Sequence, residues 1–176
     1  MTPFVSRMIR ASMLDVHVYE EVEADKSALG PAMAVVALSS LAGGVVLFEA
    51  LGVEGMVIGT TGALIGWFIW AFMTYFIGTK LLPEPQTHAD LGQLLRTIGF
   101  SSAPGLIRVL GFIPGLADPV HLIAGIWMLV AMVIAVRQAL DYHSTLRAVG
   151  VCVIGWVVQV LVVGSVLLMF GGPPGP

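Results

Sequence analysis

Five stretches of this chain stay apolar for close to twenty residues each: about Pro31 to Ala50, Gly55 to Gly78, Ile98 to Ala117, Val120 to Val136 and Ala148 to Phe170. A helix needs roughly 20 apolar residues, at ~1.5 Å rise each, to cross the hydrocarbon core of a bilayer. Composition points the same way. The 176 residues are 57% hydrophobic and 11% charged, against roughly 25% charged in a soluble domain, and the mean hydropathy is +0.95. So few charges cannot cover a water-soluble globule. The fold class read from the sequence is therefore all-α: a polytopic transmembrane bundle of five helices preceded by an N-terminal amphipathic helix.

The same properties exclude other classes. A net charge of −3 offers no basic field for nucleic acid. The single cysteine, Cys152, has no partner for an intramolecular disulfide and lies in an apolar run. No secretory leader is read, because the first apolar block begins only near Pro31, after an acid-rich segment.

Orientation follows from the basic residues. Arg7, Arg10 and Lys26 precede the first block, Lys80 and Arg96 follow the second, and Arg137 and Arg147 flank the loop after the fourth. The alternate connections, Leu51–Glu54 and Asp118–Pro119, hold acids but neither Lys nor Arg. Seven of the eight basic residues thus fall on one side, which predicts a cytoplasmic N-terminus and an outside C-terminus. A re-entrant third block would reverse this pattern downstream. That block carries Pro104 and Pro114, and proline in a helix interior removes a backbone bond. A bent helix or two half-helices are expected there, packed inside the bundle.

Phe4, Val5, Met8, Ile9, Met13 and Val16 recur at helical spacing. They predict an amphipathic helix that either lies on the cytoplasmic leaflet, with Arg7 and Arg10 toward anionic lipid, or packs on the ends of the bundle. Glu20, Glu21, Glu23 and Asp25 then read as a solvated linker, so residues 1–29 form a cytoplasmic segment. Residues 30–170 form the five-span domain and 171–176 a short external tail.

Arg108 is the sharpest single feature, since a charge at mid-bilayer costs roughly 2.5–3.5 kcal/mol on insertion scales. Ser39, Ser40 and Gln159 lie at similar depth. Arg108, Gln159 and Ser40 are the candidate intramembrane polar site, for a small anion or an anionic headgroup. The alternative, which the residues favour, is that Arg108 satisfies carbonyls freed by Pro104 and Pro114. Gly55, Gly59, Gly62 and Gly66 form two G-x-x-x-G pairs suited to close helix packing within the bundle or between copies. Tyr75 and Tyr142 read as interfacial belt residues. His17, His88, His121 and His143 are scattered, and neither a metal-ligand spacing nor a nucleophile–base pair is recognisable. No catalytic residue, metal or cofactor is predicted, and the partners expected are the bilayer and other membrane proteins or a second copy.

Three short elements resemble the Yip family of five-span, Ypt/Rab-interacting membrane proteins. Leu29-Gly30-Pro31 is similar to the D-L-x-G-P-like entry to that family's first span, without the leading acid. Gly99-Phe100-Ser101-Ser102-Ala103-Pro104 is similar to its G-Y-S-x-x-P-like element, with Phe for Tyr. Trp127, Arg137 and Arg147-Ala148 match a tryptophan in the fourth span, an arginine at its cytoplasmic end and an Arg-Ala after a short loop. With only about thirty residues before the first span, the chain resembles the compact prokaryotic branch. The resemblance implies a multi-pass protein of the bacterial cytoplasmic (inner) membrane with a non-catalytic scaffold, adaptor or membrane-organising role. The runner-up reading is a small permease-like subunit that binds around Arg108.

Overall fold

Pro3 stands at the first helical position and the Thr2 side chain accepts the Val5 amide, so helix α1 (Pro3–Ser12) begins at once. It stops where Leu14 takes a left-handed φ of 61°. Asp15 then accepts the His17 amide and starts α2 (Val16–Ala24). The acidic stretch expected to be a linker is therefore largely helical. Its acids face the arginines of α1: Arg7 pairs with Glu21 and Asp25, and Arg10 with Asp15 and Glu21, all at 2.7–2.8 Å. The computed structural model describes residues 2–170, apart from the side chains of 45–51, 162–164 and 166–170. The expected outer tail, 171–176, lies outside the described residues.

Helix α3 (Leu29–Phe76) is a hairpin of two limbs. At Gly52 the backbone leaves helical geometry, with φ 58° and ψ −154°, a conformation that costs glycine little. Nineteen residues of straight helix would separate Ser40 from Gly59 by ~28 Å. Instead the Ser40 hydroxyl lies 3.5 Å from the Gly59 carbonyl. The second limb ends in a π-helical turn, Ile77–Leu81. Tyr142 is buried there, with its hydroxyl 2.9 Å from the Gly78 carbonyl and 2.7 Å from that of Leu82. Tyr142 is thus a staple between two connections rather than a belt residue, because its phenol covers carbonyls that the π turn leaves open.

The third apolar block is broken, as its prolines predict, but its helix starts earlier than expected. Asp90 and Gln93 form a reciprocal capping box, so α4 (Leu91–Phe100) begins inside the stretch read as loop. From Ala103 to Phe112 the chain is 3₁₀. It terminates at Ile113, whose extended ψ of 125° is what a residue before proline prefers. α5 (Ala117–Ala139) and α6 (Thr145–Phe170) complete the bundle. The α4–3₁₀ run lies beside the first limb of α3 and points the same way. Gly99 faces Ala32, Gly105 faces Ser39, and Arg108 reaches Gly43.

The connections gather at one end. Gln138 donates to Glu20, Gln93 to Glu23, Gln86 to the Asp141 carbonyl and Arg147 to the Pro83 carbonyl. Seven of the eight basic residues lie in these segments or in α1, which is salt-bridged to α2. From this polar end the chain runs out and back through α3, out through α4 and the 3₁₀ segment, back through α5 and out through α6. Among the described residues, three helices are long and apolar enough to cross a membrane: Lys26–Gly44, Gly52–Leu81 and Ala117–Ala139. The expected third span is not among them, because α4 and the 3₁₀ segment each have ten residues. Of α6, Thr145–Leu161 is an apolar helix among the described residues. Large apolar side chains, including Phe68, Phe72, Leu122, Ile126 and Trp156, project outward along the middle of the bundle. That is a surface for lipid rather than water.

Gly99 and Gly30 separate packing from mere occurrence. A Cβ on Gly99 would come within 2.7 Å of the Ala32 Cβ and 3.1 Å of its carbonyl oxygen, whereas a Cβ on Gly30 meets nothing within 4 Å. Gly99→Ala is expected to destabilise the bundle by about 1–3 kcal/mol. Gly30→Ala should be neutral or stabilising by up to about 1 kcal/mol. Thermal unfolding in detergent, followed by circular dichroism, checks the pair, and equal midpoints would remove Gly99 from the packing account.

Candidate functional site

The α3 hairpin, the 3₁₀ segment, α5 and α6 do not close on one another. Between them lies a cavity of about 1240 Å³, and all three candidate polar residues, Arg108, Gln159 and Ser40, line it. Arg108 is placed by the 3₁₀ segment. Its Nε donates to the Gly105 carbonyl at 3.1 Å, and Nη2 donates to the carbonyl and hydroxyl of Ser39 at 3.2 and 2.8 Å. The Met128 sulfur is 3.5 Å from the same nitrogen. The head lies over the bare Cα of Gly43, where a Cβ would be 3.1 Å from Nη1.

These contacts refine the two sequence readings of Arg108. It does satisfy carbonyls, but those of Gly105 and Ser39 rather than groups left open by the prolines. Pro104 stands at the start of the 3₁₀ segment, where a missing N–H breaks no bond, and Pro114 lies beyond its end. Ser39 holds the guanidinium, while Ser40 turns toward Gly59. Gln159 shares the cavity with Arg108 and is not bonded to it. Sequence reasoning missed Gly105 and Gly43. A Cβ on Gly105 would collide with the Ser39 hydroxyl, Arg108 and Met128, and only the three-residue spacing to Arg108 hints at this.

The G-x-x-x-G glycines behave differently from expectation. A Cβ on Gly59, Gly62 or Gly66 meets nothing within 4 Å. Within one chain no neighbouring helix sits on these Cα atoms; Gly59 and Gly66 face the cavity instead. Gly55 also lines the cavity. For the second limb, only 6% of the candidate span is buried.

The residues of the family-like elements fall on packing contacts. Leu29, Gly30 and Pro31 open α3, with Pro31 inside the first turn. The following residue, Ala32, receives Gly99. Phe100 is fully buried in a cluster with Val18, Tyr19, Val22 and Ala135. Ser101 Oγ donates to the Ile98 carbonyl at 2.7 Å, and Pro104 is buried. Trp127 Nε1 donates to the Ser12 carbonyl at 2.7 Å, which ties the end of α1 to the middle of α5. The N-terminal helix is thus packed on the bundle, but alongside α5 and the 3₁₀ segment rather than on the ends where the sequence reading placed it. Val5, Ile9 and Met13 keep one apolar stripe outward.

At the polar end, charge works on backbone. Buried Arg96 donates to the Val22 carbonyl at 3.0 Å and to the Glu23 carbonyl, capping the C-terminus of α2 with a cation. Glu23 beside it is half-buried, and desolvation, with Asp141 nearby, pushes its carboxyl up to about 7. Glu84 takes the opposite course. The His143 amide, then Gln86, the Ser144 amide and Arg147, hold its carboxyl below the usual range. Arg137 Nε donates to the Tyr142 carbonyl at 3.2 Å, and Arg147 Nε lies 3.5 Å from Glu84.

No curated protein and no solved structure matches the chain. The family model of the Yip1 domain matches residues 16–167, which takes in α2, the α3 hairpin, the α4–3₁₀ run, α5 and most of α6. The first two elements that carried the resemblance adjoin at the contact of Gly99 with Ala32, the residue after Pro31, and the apolar helices around them are those of a membrane protein. This chain belongs to the Yip1 domain family.

Proposed function

We propose that this Yip1-family protein is a non-catalytic scaffold or adaptor of the bacterial cytoplasmic membrane, crossing it five times with its N-terminus inside. The polar end carries the reading. Connections and helix ends from five places in the chain are bonded into one surface, and with α1, salt-bridged to α2, these segments hold seven of the eight basic residues. Basic residues favour the cytoplasmic side. A rigid face of this kind suits other membrane proteins or a second copy as partners. The third crossing in this reading is the α4–3₁₀ run.

Topology is checked with single cysteines in a Cys152→Ser background and a membrane-impermeant maleimide on intact cells. Cysteines at Glu54 and Asp118 should label from outside, and those at His17 and His88 only after lysis. The reverse pattern overturns the orientation, and one that puts His88 and Asp118 on the same side overturns the five-span reading.

The adaptor role is tested by photo-crosslinking in native membranes. A crosslinker at exposed His17 or His88 should give discrete protein adducts, and one at Phe112, 72% exposed at the opposite end, should not. Absence of adducts from the polar end, together with anion flux into liposomes that Arg108→Leu abolishes, would move the assignment to a permease.

Docking of α2, which shapes this face, should respond to pH through Glu23. Its folded pKa lies above that of an exposed carboxyl, so the folded state holds the extra proton. The resulting stabilisation is complete below the unfolded pKa, near 4.3, and is lost as pH rises through about 7. The unfolding midpoint should fall from pH 5 to pH 8, and Glu23→Gln should flatten that slope. An unchanged slope in the variant would remove Glu23 as the cause.

A further inference from the structure

We propose that the central cavity holds an anionic membrane lipid, with its phosphate on Arg108 and an acyl chain along the glycine face of α3. The first argument is charge. A guanidinium carries five N–H groups in a fixed fork. The Gly105 carbonyl and the two Ser39 oxygens engage Nε and Nη2, while Nη1 has no acceptor among the described residues. Nor does Arg108 form an ion pair with any described acid; the salt bridges are those of the N-terminal helices and of Arg147. Gly43 is nine residues from the turn at Gly52, so the charge lies ~13 Å in from that turn. A cation at such depth is stabilised by a counter-charge, and the free Nη1 suits a charge-assisted hydrogen bond to a phosphate oxygen.

The second argument is shape. The cavity, about 1240 Å³, exceeds the roughly 300–1,000 Å³ of ordinary small-molecule pockets. Its lining is mainly apolar, and it opens sideways where Trp156 is 62% and Leu129 58% exposed. Gly44, Gly59, Gly66 and Gly125 line it, and a Cβ on any of them would meet nothing within 4 Å. The chain leaves this floor bare. A long apolar chain ending in an anion satisfies the floor and the guanidinium together, which a free phosphate or an uncharged lipid does not.

Native mass spectrometry of the full chain, incubated in detergent with phosphatidylglycerol, phosphatidylcholine or inorganic phosphate, tests this. Phosphatidylglycerol should be retained at least tenfold over phosphatidylcholine, and phosphate alone should not be retained. Arg108→Gln should lower phosphatidylglycerol retention at least tenfold. Because Arg108 also bridges the 3₁₀ segment to α3, a second variant guards against loss of fold. Gly59→Leu fills the cavity without touching Arg108 and should lose the lipid at an unchanged thermal midpoint. Equal retention of the two lipids, full retention in Gly59→Leu, or phosphate binding as well as phosphatidylglycerol overturns the proposal. So does a lipid-free dimer that Gly59→Leu dissociates, which would assign the face to a second copy.

Discussion

The contact between Gly99 and Ala32 fixes most of this molecule. Two backbones meet there with only one methyl group between them, in a cluster of fully buried residues that includes Val18, Tyr19, Val22, Phe100 and Ala135. Because α4 continues into the 3₁₀ segment alongside the first limb of α3, the register set at this point places Gly105 on Ser39 and Arg108 at Gly43. The same contact buries Phe100 against α2, so the position of the N-terminal pair and the depth of the arginine depend on one close approach. A larger residue at either position would separate the two runs along their whole length.

A 3₁₀ segment beside a membrane-spanning helix is tolerable because few of its polar groups lack partners. Non-helical backbone at membrane depth must be satisfied within the protein. Here the Gly105 amide reaches the Ser102 carbonyl and the Ile113 amide that of Leu110, at 3.0 and 3.1 Å. Thr97 and Ser101 donate their hydroxyls to carbonyls of α4. Arg108 covers the Gly105 carbonyl and links it to Ser39. The arginine is therefore part of the backbone arrangement, and its remaining Nη1 group turns a structural residue into a candidate binding one.

The two limbs of α3, the return through α5 and the broken character of the third block were legible because apolar block length and proline position determine them directly. The start of α4 was not. Its capping box, Asp90 with Gln93, lies among polar residues where no apolar periodicity marks an edge. The helical state of Glu20–Asp25 was hidden for a related reason. Those acids look solvated until Arg7 and Arg10 are brought opposite them by the turn at Leu14. At the candidate site, depth along each block grouped Arg108 with Ser39, Ser40 and Gln159, all of which line the cavity. The sequence reading chose Ser40 as the partner of Arg108, whereas Ser39 holds it, because the two serines differ by ~100° around the helix and only the path of the 3₁₀ segment decides which one faces Arg108. The glycine pairs were misleading in a different way. Spacing shows that two helices could pack on the bare Cα atoms of Gly59, Gly62 and Gly66, and in this chain nothing lies within 4 Å of where their Cβ atoms would stand.

The distribution of basic residues has two causes that coincide. Insertion places lysine and arginine on one side of the membrane, yet most of these groups are also structural. Arg7 and Arg10 hold α1 to α2, Arg96 caps α2, and Arg137 and Arg147 brace the connections between α3, α5 and α6. Each of these cations is thereby given an acceptor of the chain's own. Of the basic residues at the polar end, only Lys26 and Lys80 are exposed and have no hydrogen bond or salt bridge among the described residues. A surface neutralised this way has little long-range field, whereas Arg108 keeps its charge with no acid partner among the described residues. There the low dielectric makes the same unit charge several times stronger than it would be at the interface.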